Sequence, residues 1–353
     1  MSFAHKAGAF AASASILVLV GCSTAEEPAS EASAGTESAQ AGSDGALTLY
    51  SGRDEELIQP LIDRFEEQSG TEVDVRYGNT AELGALLLEE GEQTPAQVFL
   101  SQDAGALGAL SSAGLFSTLP DDIASTVPDG FTSTDDTWVG LTGRARVIVY
   151  DSEDLMAEEV PASVDALTEP EWSGRVGLAP SNASFQAFVT AYRVIKGEAA
   201  ADEWVSALAA NDPQIFENNG AVLTAVNDGV VDAGLINHYY WFRQAAETGE
   251  ENMRAQLSYP ETGDPGSIVN VTGAGILAGA AEDPDALEFV EFLVSEDAQQ
   301  YFVEETFEYP LIEGIEAPEG LPELESLVNP ELDLSDLESL ETTQELLSKH
   351  GLI

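Results

Sequence analysis

Apolar and polar positions along this chain switch repeatedly between two periods. The apolar run in "ALTLYS" reads as a strand, and "DEELIQPLIDRFEEQSG" then places Leu57, Leu61, Ile62 and Phe65 at helical spacing until Gly70 stops the run. "EVDVRYG" alternates with a period of two, "TAELGALLLEEGE" is helical, "AQVFLS" is a strand and "AGALGALSSAGL" is again a helix. Strand and helix alternating across short connections predict a mixed, mostly parallel sheet flanked by helices.

The alternation resumes at "VGLTGRARVIVYD" and continues through "RVGLAP", "FQAFVTAYRVIKG", "AVLTAVNDG", "VVDAGLIN" and "SIVNVTGAGILAG"; "DPDALEFVEFLVSEDAQQYFVEE" predicts an amphipathic helix pair. Some 300 residues from Ala46 onward, about the length of two medium lobes, contain no linker in their middle. Two lobes without a sequence boundary imply that the chain crosses between them more than once. The glycines of "VTGAGILAG" do not keep dinucleotide-binding spacing and read as a close-packed strand.

The first residues change the picture of the compartment. "MSFAHKAGAFAASASILVLVGC" has a short polar start with Lys6 and an apolar run over residues 12–20, too short to span a bilayer, which reads as an export signal over residues 1–21. Its end, Leu19-Val20-Gly21-Cys22, matches the bacterial lipoprotein pattern, in which the cysteine is lipidated and becomes the new N-terminus. Cys22 is the one cysteine in the sequence, which excludes an intramolecular disulfide and a thiolate metal cluster. Residues 22–45, rich in Ala, Ser, Gly and Glu, cannot bury enough surface to order themselves and read as a flexible tether. The protein is expected outside the cytoplasm, anchored by lipid at the outer face of the cytoplasmic membrane or in the periplasm.

Charge then bounds the partners. Twelve Lys plus Arg stand against sixty-four Asp plus Glu, a formal charge of −52, and no Lys or Arg occurs from Ala255 to Ser348. Such a surface repels nucleic acid and anionic headgroups. The bulk acidity suits a salty medium, where screening weakens self-repulsion, and identifies no ligand. No zinc-protease helix, phosphate loop or nucleophile elbow is present, so no enzyme is expected.

The order of "LTLYSGRDEELIQPLIDRFEEQSGTEVDVRYGNTAEL", "AQVFLSQDAGALGALSSAGL", "LTGRARVIVYD", "APSNASFQAF", "NNGAVLTAVNDGVVDAGLINHYYWFR", "EDPDALEFVEFLVSEDAQQYF" and "EYPL" resembles the ferric-iron solute-binding proteins of bacterial ABC transporters. The resemblance runs from Leu47 to the end. Its specific element is "INHYYW", where Tyr239 and Tyr240 look like the iron-ligating pair. The chemistry of the residues agrees. Fe(III) is a small, hard cation that prefers anionic oxygen, and a trivalent charge favours an ionised phenol despite an ordinary pKa near 10. Adjacent side chains diverge in a helix and oppose each other in a strand, so both tyrosines can meet one metal only at an irregular junction. The boundary between "VVDAGLIN" and "YYWFRQAAE" offers one.

The resemblance implies further ligands, with departures. Members often carry His shortly after the first strand; Asp54 and Glu55 stand there, with Asp54 preferred as the replacement donor and helix N-terminal charge as the competing role. Where some members have Glu, Gln102 is present, a weak ligand for Fe(III). Ser184 falls near the place of an extra tyrosine, whose absence favours the type that completes coordination with an anion such as carbonate or phosphate. Asn182, Ala183 and Ser184 resemble the anion-binding loop at a helix start, Asn219 and Asn237 match its anion-contacting asparagines, and Arg144 can add positive charge. Arg53, Arg146 and Arg243 also fall in resembling stretches. His238 points away from at least one of its neighbours, and Trp241 and Phe242 read as packing.

The resemblance implies an α/β, two-lobed type II periplasmic-binding-protein fold, monomeric, with Fe(III) held in the cleft and passed to an inner-membrane ABC permease. One lobe is expected over residues 47–141 and 268–308, the other over 142–267 with 309–353. The same fold binding another small solute (an anion, a polyamine or a sugar) and an acidic surface interaction protein remain alternatives at this point.

Overall fold

The computed structural model describes residues 45–329 and 332–353; the expected export signal, Cys22 and the tether up to residue 44 lie outside them. The first half runs β1 (Leu47–Ser51), α1 (Glu55–Ser69), β2 (Val73–Tyr77), α2 (Thr80–Glu90), β3 (Val98–Ser101), α3 (Ala104–Ser112), α4 (Asp121–Ala124) and β4 (Val139–Asp151). It continues through β5 (Val176–Leu178), α5 (Ala183–Lys196), α6 (Glu198–Ala210), β6 (Gln214–Ile215), α7 (Asn219–Asn227), β7 (Ala233–Asn237) and α8 (His238–Thr248). The remainder is β8 (Ala255–Ser258), β9 (Val269–Ile276), α9 (Pro284–Leu293), α10 (Glu296–Tyr301), β10 (Tyr309–Pro310), α11 (Leu324–Leu327) and α12 (Leu340–Lys349). Among the described residues no helix is long and apolar enough to cross a membrane.

The strand order is β2-β1-β3-β9-β4-β7-β5-β6, with β8 and β10 also on β4. Strands linked by a helix pair in parallel, β1 with β2 and β3, and β5 with β6 and β7, as the sequence alternation predicts. The strands that tie these groups together, β4 and β9, run antiparallel to their neighbours. β4 is 13 residues long and buried throughout, more than twice the usual strand. Its first half, up to Ala145, pairs with β9, and its second half, from Arg146, pairs with β7 and β8. One strand thus belongs to two sheets, which is how the chain crosses between its two halves without a linker.

Each sheet has its own aromatic packing. Phe65 of α1 meets Phe289 of α9 edge to face at 4.9 Å on one, and Tyr192 of α5 stacks on Trp204 of α6 at 4.8 Å on the other. β9 passes so close to β4 that a Cβ on Gly273 would lie 2.8 Å from the Val139 carbonyl oxygen, which explains its run of small residues.

The C-terminal segment touches both halves. β10 pairs Tyr309 with Gly143 and Pro310 with Thr142 on the first half of β4. Further on, Thr343 of α12 bonds Thr190 of α5 at 2.7 Å, and Arg193 donates to the Ser339 carbonyl and to Thr343 Oγ1, each at 2.9 Å.

Candidate functional site

Six strands, β1, β2, β3, β5, β6 and β7, deliver their carboxyl ends to helix N-termini, the edge at which open α/β sheets bind ligands. A cavity of about 530 Å³ lies there, and Asp54, Gln102, Asn182 and Tyr240 all line it, together with Arg53 and Tyr77. Asn79 and Thr80 at the start of α2 and Asn218 at the start of α7 complete a ring of helix N-termini. Their free N–H groups and dipoles give the cavity a positive bias inside a strongly acidic protein.

β7 ends at Asn237 and α8 begins at His238, so Tyr239 and Tyr240 occupy the first helical turn. Their rings stack with centroids 4.4 Å apart and planes 28° from parallel. Tyr239 is fully buried, and its hydroxyl has no hydrogen-bond partner among the described residues. Such an orphaned buried hydroxyl is costly and asks for a ligand. Burial is the main cause that raises the Tyr240 phenol well above its ordinary value, with the adjacent Tyr239 and then Asp54 adding. The Tyr240 phenol is therefore neutral until a cation displaces its proton.

Asp54 holds the N-cap position of α1 yet makes no capping hydrogen bond. The caps of α2, α3, α5 and α7, namely Asn79, Asp103, Asn182 and Asn218, all do. The Asp54 carboxylate is exposed to the cavity and free. Gln102 is almost buried; its backbone N–H is held by Thr80 Oγ1 at 3.0 Å, while its side chain has no hydrogen bond among the described residues.

Ser184, Asn219 and Asn237 converge on an arginine, and it is Arg146. Its Nη1 donates to Ser184 Oγ at 3.2 Å, to Asn237 Oδ1 at 3.4 Å and to Asn219 Oδ1 at 3.5 Å, and its Nη2 donates to the Leu235 carbonyl at 2.9 Å. Phe185 and Phe188 pack their rings 5.5 Å from its guanidinium. Burial pulls Arg146 down to about 9, with Tyr240 opposing and Arg144 adding, so it stays charged at neutral pH. Arg144 is not joined to this group. Its Nη2 donates to the Val271 carbonyl at 3.3 Å, and its charge acts on Asp103, whose carboxyl burial pushes up.

Arg53 lies on the other side of the tyrosines, its guanidinium 5.8 Å from the centre of the Tyr239 ring. Burial works against its charge, but Glu308, then Tyr239 and Asp54, hold its pKa above the ordinary arginine value. His238 is fully buried and faces away from the cavity. Its Nδ1 accepts from the Ala145 N–H at 3.1 Å and its Nε2–H donates to the Phe307 carbonyl at 2.9 Å, so neither nitrogen is free for a metal.

Among the described residues no three His, Cys, Asp or Glu side chains gather as a metal-holding group. The donors gathered at the cavity are phenols, the two carboxylates of Asp54 and Glu55, and amides, a set suited to a hard cation. Two residues, Tyr77 at the cavity and Arg146 behind it, carried no assigned role in the sequence. Tyr77, at the carboxyl end of β2, lines the cavity and donates to Gln59 Oε1 at 2.6 Å, and burial, with Glu55 and Asp63 adding, pushes it up to about 12. Arg146 was legible only as one arginine of "GRARV".

Residues 93–333 match the family described as bacterial extracellular solute-binding protein. The chain is 34% identical over 314 residues to the Fe(3+)-binding periplasmic protein of Serratia marcescens, covering 89% of this chain and 92% of that one. Iron-bound HitA from Pseudomonas aeruginosa superposes with a TM-score of 0.82 at 32% identity, covering 87% of this chain and 99% of HitA. A Trichodesmium protein (IdiA, FutA) in complex with iron and citrate gives 0.73 at 27% identity, covering 87% and 99%. The chain therefore belongs to the bacterial extracellular solute-binding proteins, alongside the periplasmic ferric iron-binding proteins.

Proposed function

We propose that this protein is the extracytoplasmic binding component of an iron(III) ABC transporter. Tyr239 and Tyr240 bind the metal as phenolates from the β7–α8 side, and Asp54 closes the coordination from the β1–α1 side, with Gln102 beside it. The observation that carries this reading is the partnerless, buried Tyr239 hydroxyl stacked against Tyr240 over a cavity with an uncapped carboxylate. Iron-binding relatives of 34% and 32% identity support it.

Charge accounting favours the same assignment. Two phenolates and one carboxylate balance a trivalent cation and Glu308 already pairs with Arg53, so the helix N-termini and the buried Arg146 remain to offset one more negative charge. A synergistic anion such as carbonate or phosphate supplies it, at the corner formed by Asn182, Ala183, Ser184, Asn219 and Asn237; Arg144 stands apart from that corner, its Nη2 donating to the Val271 carbonyl of β9. A ligand that bonds residues on both sheets stabilises the closed state over the open one. The closed form then docks on the permease, and Cys22 tethers the protein to the membrane as a monomer. The function is binding and delivery rather than catalysis.

A visible-absorption titration of the metal-stripped protein with Fe(III) citrate tests the assignment. A saturable one-to-one charge-transfer band is expected, lost in Tyr239→Phe and Tyr240→Phe. Absence of any band from the wild-type protein would overturn it and leave the positive cavity to a small anionic solute without metal.

A further inference from the structure

The anion corner contains more hydrogen-bonding groups than it has free donors. Ser184 Oγ donates to Asn182 Oδ1 at 2.6 Å and accepts from Arg146 Nη1 and from Asn219 Nδ2, the latter at 3.1 Å, so its hydroxyl proton is already used. Asn219 Nδ2 also donates to Asn182 Oδ1 at 3.3 Å, which uses its second hydrogen. Asn237 differs. Its Oδ1 accepts from Arg146, and its NH₂ group has no hydrogen bond among the described residues.

This difference has a chemical cause. A guanidinium only donates, so any amide that touches it must turn its oxygen inward and its NH₂ outward. Arg146 and Asn237 are cross-strand partners in the β4–β7 ladder, which places their side chains on one face of the sheet as neighbours. The two phenylalanine rings hold the guanidinium in place, and the Leu235 carbonyl takes its Nη2.

We propose that Arg146 is the positioning residue of the anion corner: it holds Ser184, Asn219 and Asn237 oxygen-first and so presents the Asn237 amide as the side-chain donor for an oxyanion. The proposal rests on the ferric-plus-anion reading of the cavity. It assigns the anion to Asn237 and the charge behind it, and not to the Ser184 hydroxyl.

The test is the iron titration repeated over a bicarbonate series, following the position and intensity of the phenolate–iron band. In Arg146→Gln the bicarbonate concentration for half-maximal effect rises about tenfold or more, the loss expected when a charge-assisted hydrogen-bond set is removed. Arg146→Lys, which keeps the charge but not the fork, recovers part of the loss, and Asn237→Ala reproduces most of it. The band maximum should shift with bicarbonate in the wild type and not in Arg146→Gln, a change that altered packing alone does not produce. Unaltered bicarbonate dependence in Arg146→Gln overturns the proposal. Should that variant not fold, Asn237→Ala decides in the same way. A wild-type band that ignores bicarbonate overturns the role of Arg146 alone; no wild-type band at all removes the ferric reading and this inference with it.

Discussion

Arg53 and Glu308 form an ion pair of 3.0 Å in which both side chains are completely shut off from solvent. Arg53 sits in the turn after β1 and Glu308 immediately before β10, so the pair joins the start of the fold to its C-terminal segment. Thr142 donates to the same carboxylate at 2.8 Å and Thr306 at 3.3 Å. Phe307 turns the chain into this position through a left-handed backbone, φ 56°, uncommon for a residue with a side chain. Removing one partner leaves a buried charge uncompensated, at a cost of about 3–5 kcal/mol. Glu308→Gln should therefore lower the urea midpoint strongly, and Arg53→Met with Glu308→Leu should recover much of it. Equal midpoints in Glu308→Gln and wild type would contradict the account.

Tyr239→Phe separates stability from binding. It removes a hydroxyl that is buried without a partner, so the ligand-free protein should gain about 1 kcal/mol or more in denaturant unfolding. The same change removes a proposed phenolate, and iron affinity should fall by more than about 100-fold, beyond the loss typical of an outer-sphere partner. A variant that is less stable yet binds iron normally would show that the ring is only packing.

His238 predicts a pH dependence of folding. Burial is the main cause that lowers its pKa to about 4, against about 6.5 in the unfolded chain. As pH falls, the unfolded chain takes up the proton first. The stabilisation from the neutral imidazole is whole above about pH 6.5 and declines to its lower limit near pH 4, by up to about 3 kcal/mol. The stability difference between wild type and His238→Gln, measured in urea from pH 7.5 down to 4.5, should therefore shrink with falling pH. Parallel curves would place the acid sensitivity in the carboxylates instead.

Cys22→Ser tests the anchor. The wild-type protein is expected in the membrane fraction of the cell and the variant in the soluble extracytoplasmic fraction. A variant that stays with membranes would require another means of attachment.

The sequence by itself determined the alternation of strands and helices, because apolar spacing reports which face of each element is buried. It also carried the tyrosine pair, since adjacent tyrosines at a strand-to-helix junction form a local signal, and the resemblance in segment order that the relatives of 34% and 32% identity bear out. Only the tertiary structure decided that Asp54 leaves its helix uncapped while Asn79, Asp103, Asn182 and Asn218 fill theirs, because residue type permits a cap and the side-chain torsion decides whether it forms. It also decided which arginine gathers Ser184, Asn219 and Asn237. Arg144 and Arg146 are two residues apart on one strand and indistinguishable in sequence, but the first pairs against β9 and the second against β7. That handover of β4 between two sheets is a long-range pairing, and so are the meetings of Arg53 with Glu308 and of Tyr77 with the cavity. Local periodicity fixes which face of an element is buried; which distant groups share that burial is set by how the elements pack.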